Sequence, residues 1–341
     1  APNEPLADDP RNIWCVGYGL DTFDKLFTPR QLVALTTFTD LVAEAQERVH
    51  RDAAAAGWLD DGVPLNDGGS GATAYADAIA TYLAFAVDRL ANRASTMCIW
   101  NTSREEVEQT FARQAIPMTW DFAEANVLNE STGSWIGSVG WVPEALERLP
   151  VSPLASTGQL DATVATNGVK FPVIFTDPPY YDNISYADLS DFFYVWLRRS
   201  VGNIFQDIFA TLLTPKEQEL VATSYRFGGN KSKAKQFFEE GLSKSFTHIR
   251  DAHHTSYPLI LYYAFKQTES SEGNGRDDDF FVASTGWETM LQGLLKANFS
   301  ITGTWPIRTE RAEGLKSGTN ALASSILIVC RPRPESAPIA T

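Results

Sequence analysis

The chain has 341 residues with a formal net charge of -14; 44% of the residues are hydrophobic and 21% are charged. This composition is typical of a soluble globular protein with two units, and no apolar run approaches the roughly 20 residues that span a bilayer, so a cytoplasmic protein is predicted. The cysteines, Cys15, Cys98 and Cys330, are far apart and form no Cys-x-x-Cys pair, which argues against a disulfide framework and a zinc site. No metal is therefore predicted.

The amino-terminal part of the chain is predicted to be mostly helical. Thr28 and Gln31 form a capping-box pattern at the start of a helix that we expect over residues 29–56. Apolar residues at helical spacing predict a second helix over residues 73–93. Ser103, with a glutamate three residues later, predicts the cap of a third helix.

The residues that carry chemistry follow a short apolar strand. This strand, expected to be buried over residues 173–176, runs directly into Asp177, Pro178, Pro179 and Tyr180. Open α/β sheets bind their ligands at the carboxyl ends of strands, where Asp177 offers an acceptor. The two prolines fix the backbone and remove donors, so that the carbonyl of Pro178 can face a ligand. Tyr180 adds a flat ring for stacking.

These groups suit methyl transfer to the exocyclic amino group of a nucleobase. That nitrogen is a poor nucleophile because its lone pair is delocalised into the ring. Acceptors at Asp177 and at the Pro178 carbonyl would hold its N–H bonds and favour a pyramidal nitrogen with an available lone pair. A base in a duplex must first leave the stack, and Tyr180 would receive the flipped base by stacking.

Two longer runs of sequence carry a resemblance to a known family. One is Asp-Pro-Pro-Tyr-Tyr-Asp-Asn-Ile-Ser-Tyr-Ala-Asp-Leu-Ser-Asp-Phe-Phe-Tyr-Val-Trp-Leu-Arg-Arg over residues 177–199, and the other is Phe-Ala-Arg-Gln-Ala-Ile-Pro-Met-Thr-Trp-Asp-Phe-Ala-Glu over residues 111–124. The sequence resembles the large prokaryotic adenine-specific DNA methylase-like proteins, which carry a zinc ribbon and a domain of unknown function upstream. The resemblance covers most of the chain, and Asp-Pro-Pro-Tyr looks like the family's catalytic motif.

The resemblance implies an α/β chain with an incomplete Rossmann-like S-adenosylmethionine-dependent methyltransferase fold and a mostly helical amino-terminal region. We expect the helical region over residues 1–150, the half of the methyltransferase domain with the motif over residues 151–333, and a disordered tail over residues 334–341. The catalytic residues would be Asp177, Pro178, Pro179 and Tyr180.

The elements expected after the motif correspond to the second half of such a fold. They are a helix over residues 186–199 that packs on the sheet, a helical stretch over residues 203–253, a strand over residues 257–265, a helix over residues 285–298 that Thr285 caps, and two strands over residues 299–307 and 325–331. The resemblance implies that the last two strands pair in antiparallel fashion.

A complete cofactor site needs a strand that ends in a glycine-rich turn, followed by an acidic residue for the ribose hydroxyls. Residues 129–135 and 135–140 contain glycines, but neither segment follows a convincing strand. In the resembling family this turn lies further upstream. We therefore predict that the chain is the carboxyl-terminal part of a longer protein, or a split subunit, and that alone it binds S-adenosylmethionine weakly or not at all.

A second cofactor contact is suggested at the start of the first helix. Phe27, Thr28 and Pro29 resemble the segment with which amino methyltransferases contact S-adenosylmethionine, and a helix amino terminus favours the cofactor's carboxylate. Together with Asp177, these residues are the predicted cofactor-binding set. An ordinary helix opening is the alternative interpretation, since Thr-Pro is common there.

Phosphate contacts are expected from the more basic part of the chain. Residues 1–150 contain 10 Lys and Arg against 22 Asp and Glu, whereas residues 198–250 contain nine basic against five acidic residues. The predicted substrate-binding residues are Tyr181, Asp182 and Asn183 beside the motif, and Arg226, Lys231, Lys233 and Lys235 in a basic loop. A solvated loop before a helix is the alternative for the basic segment.

The sequence thus predicts an enzyme that methylates adenine N6 in DNA. Its partners would be DNA and either the missing amino-terminal part or a complementary subunit, without a membrane. One alternative is a non-catalytic DNA-binding or scaffold module that lacks cofactor binding. Another keeps the chemistry but acts on RNA or on a protein amide nitrogen.

Overall fold

The computed structural model describes residues 1–149, 155–164, 172–181, 184–264, 277–307, 325–334 and 336–337. Six α-helices and six strands lie in these residues. In chain order they are α1 (Pro29–Ala55), α2 (Ala72–Ala91), β1 (Trp100–Asn101), β2 (Glu106–Val107), α3 (Trp135–Leu146), β3 (Phe175–Thr176), α4 (Tyr186–Val201), α5 (Lys231–Ala252), β4 (Leu259–Ala264), α6 (Asp277–Lys296), β5 (Phe299–Ile307) and β6 (Ser325–Pro332).

The chain divides into two compact units, each built from two segments. Unit 1 consists of Ala1–Leu154 and Ser185–Glu217, and unit 2 consists of Ala155–Ile184 and Gln218–Thr341. The sequence prediction instead drew a single boundary after residue 150. The difference arises because residues 185–217, which contain α4, pack with the amino-terminal helices.

The first two helices of unit 1 confirm the sequence prediction. At the start of α1, Thr28 Oγ1 accepts a hydrogen bond from the Gln31 backbone N–H, and Gln31 Oε1 accepts one from the Thr28 N–H, which completes the capping box. The helix α2 packs along α1. Its buried face is rich in alanine, among others Ala76, Ala80 and Ala84, so the two helix backbones can approach closely.

The third predicted helix is absent from the described residues, and a short hairpin takes its place. Strands β1 and β2 pair in antiparallel fashion, with Trp100 opposite Val107. Asn101 Oδ1 accepts hydrogen bonds from the backbone N–H groups of Ser103 and Arg104, both at 3.0 Å. This turn competes with helix formation. Glu105 follows with a φ of 52°, in the left-handed region.

The helix α3 occupies one of the glycine-containing segments. Ser134 caps it, because Ser134 Oγ accepts from the Gly137 N–H at 3.1 Å. Trp135 stacks on Phe38 of α1 with ring centroids 4.4 Å apart. Residues 135–140 therefore form the start of a helix and not a glycine-rich turn after a strand.

The helix α4 was predicted over residues 186–199, and the structure confirms this position. The prediction that it packs on the sheet was wrong. It packs on α1 and α2 within unit 1. Phe192 and Trp196 are fully buried, and the ring of Phe27 lies 5.8 Å and 5.5 Å from theirs. Phe111 meets Phe192 edge-on at 5.3 Å. Aromatic partners from distant parts of the chain thus hold α4 in unit 1.

The segment after α4 is irregular and is anchored by one buried carboxylate. Asp191 accepts hydrogen bonds from the Thr214 N–H at 2.8 Å and from Thr214 Oγ1 at 2.6 Å. Lys216 Nζ donates to the other carboxylate oxygen at 2.6 Å. The prediction of a helical stretch over residues 203–253 is correct only for α5, because the preceding residues are held by these side-chain contacts.

Unit 2 contains a mixed four-stranded sheet in the order β3-β4-β6-β5. Strand β3 runs parallel to β4, with Phe175 opposite Ile260, whereas β4 with β6 and β5 with β6 are antiparallel. The predicted antiparallel pairing of β5 and β6 is therefore confirmed. Strand β3 is shorter than predicted, and the expectation of a buried strand over residues 173–176 was wrong, because Val173 and Phe175 are exposed and the other two residues are only half-buried.

The helices α5 and α6 supply much of the core of unit 2. Phe238, Leu242 and Phe246 of α5 are buried in one cluster with Leu259 and Leu261 of β4. This cluster supports the strand that lies beside β3.

The remaining two predictions for unit 2 concern α6 and the chain end. The helix α6 begins at Asp277, earlier than the predicted cap at Thr285. In the predicted disordered tail, the N–H of Ala337 donates to the Pro334 carbonyl at 3.0 Å, and most of the other tail residues lie outside the described part.

Candidate functional site

The strongest candidate site is at the carboxyl end of β3, where Asp177 follows Thr176 directly. The carboxylate of Asp177 is exposed, Pro178 is buried and Pro179 is exposed. The hydroxyl of Tyr180 donates a hydrogen bond to Asp177 Oδ1 at 3.0 Å. The acidic group and the half-buried ring predicted from the sequence are therefore adjacent.

Three residues that the sequence did not single out lie behind Tyr180. Tyr263 of β4 meets the Tyr180 ring edge-on, with centroids 5.3 Å apart and an interplanar angle of 78°. Trp287 of α6 lies on Tyr263, at 5.8 Å. Burial raises the pKa of Tyr263 to about 12, so this residue stays neutral.

Gly286 is the third of these residues and lets α6 approach the motif closely. A Cβ atom at this position would lie 3.0 Å from Tyr263 Oη and 3.1 Å from Tyr181 Cβ. Both distances are tighter than ordinary van der Waals contact. The absence of a side chain at Gly286 therefore leaves room for the two tyrosines.

Among the residues predicted to contact substrate beside the motif, Tyr181 has a clear packing role. Its backbone carbonyl accepts from the Ala222 N–H at 2.8 Å, and its ring meets Phe238 edge-on at 5.3 Å. Asp182 and Asn183 lie outside the described residues. Tyr181 thus joins the motif to α5, and its contact with substrate stays a prediction.

The basic segment differs from the loop that the sequence predicted. Lys231, Lys233 and Lys235 are exposed in the first turns of α5, which Asn230 caps by accepting from the Lys233 N–H at 3.0 Å. Arg226 instead donates to Glu219 Oε2 at 2.7 Å, with only 13% of its side chain exposed. The three lysines can meet a phosphate, whereas Arg226 is held by the fold.

The predicted cofactor contacts Phe27, Thr28 and Pro29 belong to unit 1 and have structural roles there. Phe27 is 5% exposed in the core. The Thr28 hydroxyl caps α1 and also donates to Glu124 Oε1 at 2.8 Å, and Arg30 pairs with the same carboxylate. Pro29 is the first residue of α1. These contacts match the alternative interpretation of an ordinary helix opening, and cofactor binding stays a prediction.

A cavity of about 430 Å³ in unit 1 was not predicted from the sequence. It lies between α1 and α2 and is lined by Gln46, Glu47, His50, Arg51, Thr73, Ala76 and Asp77. Beside it, His50 Nε2 lies 2.8 Å from Asp60 Oδ2. Hydrogen bonds from His50 and from the N–H groups of Thr73 and Gly62 hold the pKa of Asp60 well below its usual range.

No protein-family model matches the chain. No curated protein matches it either. Within the described residues, no group of three His, Cys, Asp or Glu side chains is arranged to hold a metal ion, and none of the helices combines the length and apolarity needed to cross a bilayer.

Proposed function

We propose that unit 2 carries the substrate end of an S-adenosylmethionine-dependent methyltransferase that acts on adenine N6 in DNA. One observation carries the proposal: the exposed carboxylate of Asp177 stands at the carboxyl end of β3 beside the half-buried ring of Tyr180. An anion and an aromatic face at this distance suit a flipped base, which needs an acceptor for its amino group and a ring on which to stack.

In the proposed reaction, the chain's own groups act on the amino nitrogen. Asp177 would accept a hydrogen bond from one N–H of the amino group, and the carbonyl of Pro178 would accept one from the other, which favours a pyramidal nitrogen with an available lone pair. The nitrogen loses one of these two protons when it takes up the methyl group. The buried Pro178 fixes the backbone at this point. S-adenosylmethionine supplies the methyl group when it is bound.

The proposal assigns the main cofactor site to a complementary segment or subunit. Upstream of β3, the described residues contain no strand that ends in a glycine-rich turn, since β1 leads into the Asn101 turn and residues 135–140 are helical. In the described residues β3 pairs only with β4 and lies at the edge of the sheet. An edge strand offers unpaired backbone groups to further strands.

The proposed DNA contact is the start of α5. Lys231, Lys233 and Lys235 lie in the first turns of α5, at the positive end of the helix dipole, and its first turn contains no acidic residue. Lys235 Nζ also lies 3.7 Å from Glu239 Oε1, one turn further along the helix. Cations at this end destabilise a free helix, and a bound phosphate would offset that cost. A cytoplasmic location is part of the same proposal.

A non-catalytic DNA-binding or scaffold module is the second candidate. It is favoured by the contacts of Phe27 and Thr28, whose side chains already serve the core and the helix cap. To separate the enzyme from the non-catalytic module, the chain is joined to the protein part that would supply the glycine-rich turn. This assembly is then titrated calorimetrically with S-adenosylmethionine. Binding in that assembly supports the enzyme, and its absence supports the module.

The deciding experiment replaces Asp177 by Asn in the cofactor-competent assembly. The change keeps the size of the side chain but replaces an ionic acceptor by a neutral amide, so we expect methyl transfer to adenine-containing DNA to fall about 100-fold to 1000-fold, or about 3 to 4 kcal/mol. Asp251→Asn is the matched control, because Asp251 is also exposed in unit 2.

Full activity of the Asp177→Asn protein, with an unchanged thermal unfolding curve, would remove Asp177 from the reaction. Assays with RNA and with a peptide amide on the same samples test the remaining alternative substrates. Methyl transfer to either of them, and not to DNA, would retain the chemistry and change the substrate.

A further inference from the structure

We propose that Tyr180 has two separate roles: its ring face receives the base, and its hydroxyl fixes the Asp177 carboxylate. Tyr263 is the positioning residue that holds the Tyr180 side chain in the orientation that both roles require. The inference rests on the proposed function and deepens it. It explains how the site recognises a base with an amino group.

The hydrogen bond between Tyr180 and Asp177 orients the carboxylate. Within the part of the chain that the structure describes, the Tyr180 hydroxyl is the hydrogen-bond partner of Asp177, and it uses Oδ1 only. A carboxylate accepts through both oxygens, so Oδ2 is left for a second donor. An exposed aspartate would otherwise turn between rotamers, and the hydroxyl at 3.0 Å restricts that motion.

The ring of Tyr180 is held from two directions. Along the chain, Pro178 and Pro179 restrict the backbone between Asp177 and Tyr180. Across the sheet, Tyr263 meets the ring edge-on at 5.3 Å, which is a favoured arrangement for two aromatic rings. Because both constraints act on the resting protein, the hydroxyl stays on Asp177 when a base arrives.

Tyr263 is itself fixed, which makes it suitable for this role. Its side chain is 2% exposed, and Trp287 packs on its ring at 5.8 Å. Its hydroxyl lies 3.0 Å from the position that a Cβ atom on Gly286 would take, so α6 packs close beside it. A rotation of Tyr180 would therefore have to displace a packed core residue.

The arrangement favours an amino donor at the edge of the stacked base. A base that stacks on Tyr180 brings the groups at its edge to the Asp177 carboxylate, and only a donor can bond to the remaining oxygen. A carbonyl at that position would be repelled, and a C–H group would gain nothing. Discrimination for adenine over related bases thus depends on the position of Oδ2, which Tyr180 and Tyr263 fix.

The test compares two small probes that differ only in the amino group. 9-Methyladenine and 9-methylpurine are titrated into the full chain, and their dissociation constants are measured by NMR chemical shifts. A hydrogen bond to a charged group is stronger than one between neutral groups, but the exposure of Asp177 to water weakens it, so we expect the adenine probe to bind about 10-fold more tightly. The ratio of the two constants reports the amino contact and not the stacking.

Tyr180→Phe keeps the ring and removes the hydroxyl. We expect the ratio of the two dissociation constants to fall about threefold, because the Asp177 carboxylate then loses the hydroxyl that fixes it. Tyr263→Leu should lower the ratio similarly, whereas Tyr263→Phe, which keeps the edge contact, should restore it. Tyr257→Phe is the control, since this exposed tyrosine of unit 2 lies outside the site.

The outcomes separate the inference from the proposed function. An unchanged or increased ratio in Tyr180→Phe overturns the inference, provided that Asp177→Asn loses the preference for adenine. A wild-type ratio near one, with no effect of Asp177→Asn, overturns both. The inference is supported if the ratio of the two dissociation constants falls in Tyr180→Phe and in Tyr263→Leu but keeps its wild-type value in Tyr263→Phe.

Discussion

At the scale of single residues, the two glycines Gly286 and Gly140 give opposite expectations for the same substitution. A Cβ atom on Gly286 would press on Tyr263 and Tyr181, whereas one on Gly140 in α3 would meet no atom within 4 Å. Overpacking costs about 1 to 3 kcal/mol, and alanine regains about 0.5 to 1 kcal/mol of helix propensity. Gly286→Ala should therefore destabilise the protein by up to about 2.5 kcal/mol.

Gly140→Ala, the matched control, should instead stabilise the protein by about 0.5 to 1 kcal/mol, because only the propensity gain remains. Urea unfolding measures both free energies. Equal stability changes for the two variants would show that the space between Gly286 and the two tyrosines accommodates a methyl group.

The sequence located the acidic and aromatic residues of the site but not their support. Asp177 and Tyr180 are close in the chain, so a local motif is sufficient to find them. Tyr263 reaches Tyr180 only because β4 runs parallel to β3 in a particular register, and Gly286 reaches Tyr181 only because α6 packs beside it. Such contacts depend on tertiary packing, which hydrophobic periodicity does not specify.

At the scale of elements, the start of α5 can be tested by salt dependence. If Lys231, Lys233 and Lys235 each contact a phosphate, their joint replacement by Gln should weaken binding to all DNA sequences. The negative slope of log affinity against log salt concentration should become shallower by about 3. Each lysine releases close to one counterion, which gives the expected size. Binding isotherms at several salt concentrations provide the slope.

Lys244→Gln is the control for this experiment, because Lys244 is exposed on α5 but lies further along the helix. Lys244→Gln should change the slope of log affinity against log salt by less than the replacement of one lysine at the helix start does. A slope that the triple variant leaves unaltered would remove the start of α5 from the DNA interface. The proposed Asp177 chemistry would be unaffected by that result.

Elements with strong local signals were predicted well, and those that depend on turns were not. The capping box of α1, the helical spacing of apolar residues in α2 and the apolar run of β6 are all local features. The hairpin of β1 and β2 was missed because Asn101 forms a turn through its side chain, which resembles a helix cap in sequence. Both patterns use a short polar residue before backbone N–H groups.

At the scale of the whole molecule, the charge is divided unequally between the units. Unit 1 contains 26 acidic and 13 basic residues, whereas unit 2 contains 16 acidic and 15 basic residues. Almost the entire net charge of the chain therefore belongs to unit 1. Since DNA is repelled by a strongly acidic surface, any DNA contact should come from unit 2.

The unit boundaries predict how fragments behave. A fragment of residues 1–154 lacks α4, so Phe27 and Phe111 lose the packing of Phe192 and Trp196. Removing one large buried aromatic side chain typically costs about 3 to 5 kcal/mol, against a total stability of about 5 to 15 kcal/mol. We expect no cooperative thermal transition for this fragment in far-ultraviolet circular dichroism.

A fragment of residues 1–217 retains α4 and is the control. It should unfold cooperatively, since it contains both segments of unit 1. Cooperative unfolding of the shorter fragment would mean that α4 is dispensable for unit 1 and would favour the single boundary after residue 150.

The segment that carries Asp177 lies between the two parts of unit 1, and this order has a consequence during synthesis. When the ribosome has made residue 154, the apolar faces of α1 and α2 still lack α4. At about 5 to 20 residues per second, roughly 3 to 13 s pass before residue 217 is made. During that interval the partly folded chain exposes surface that chaperones bind, and the strand with the motif emerges before either unit is complete.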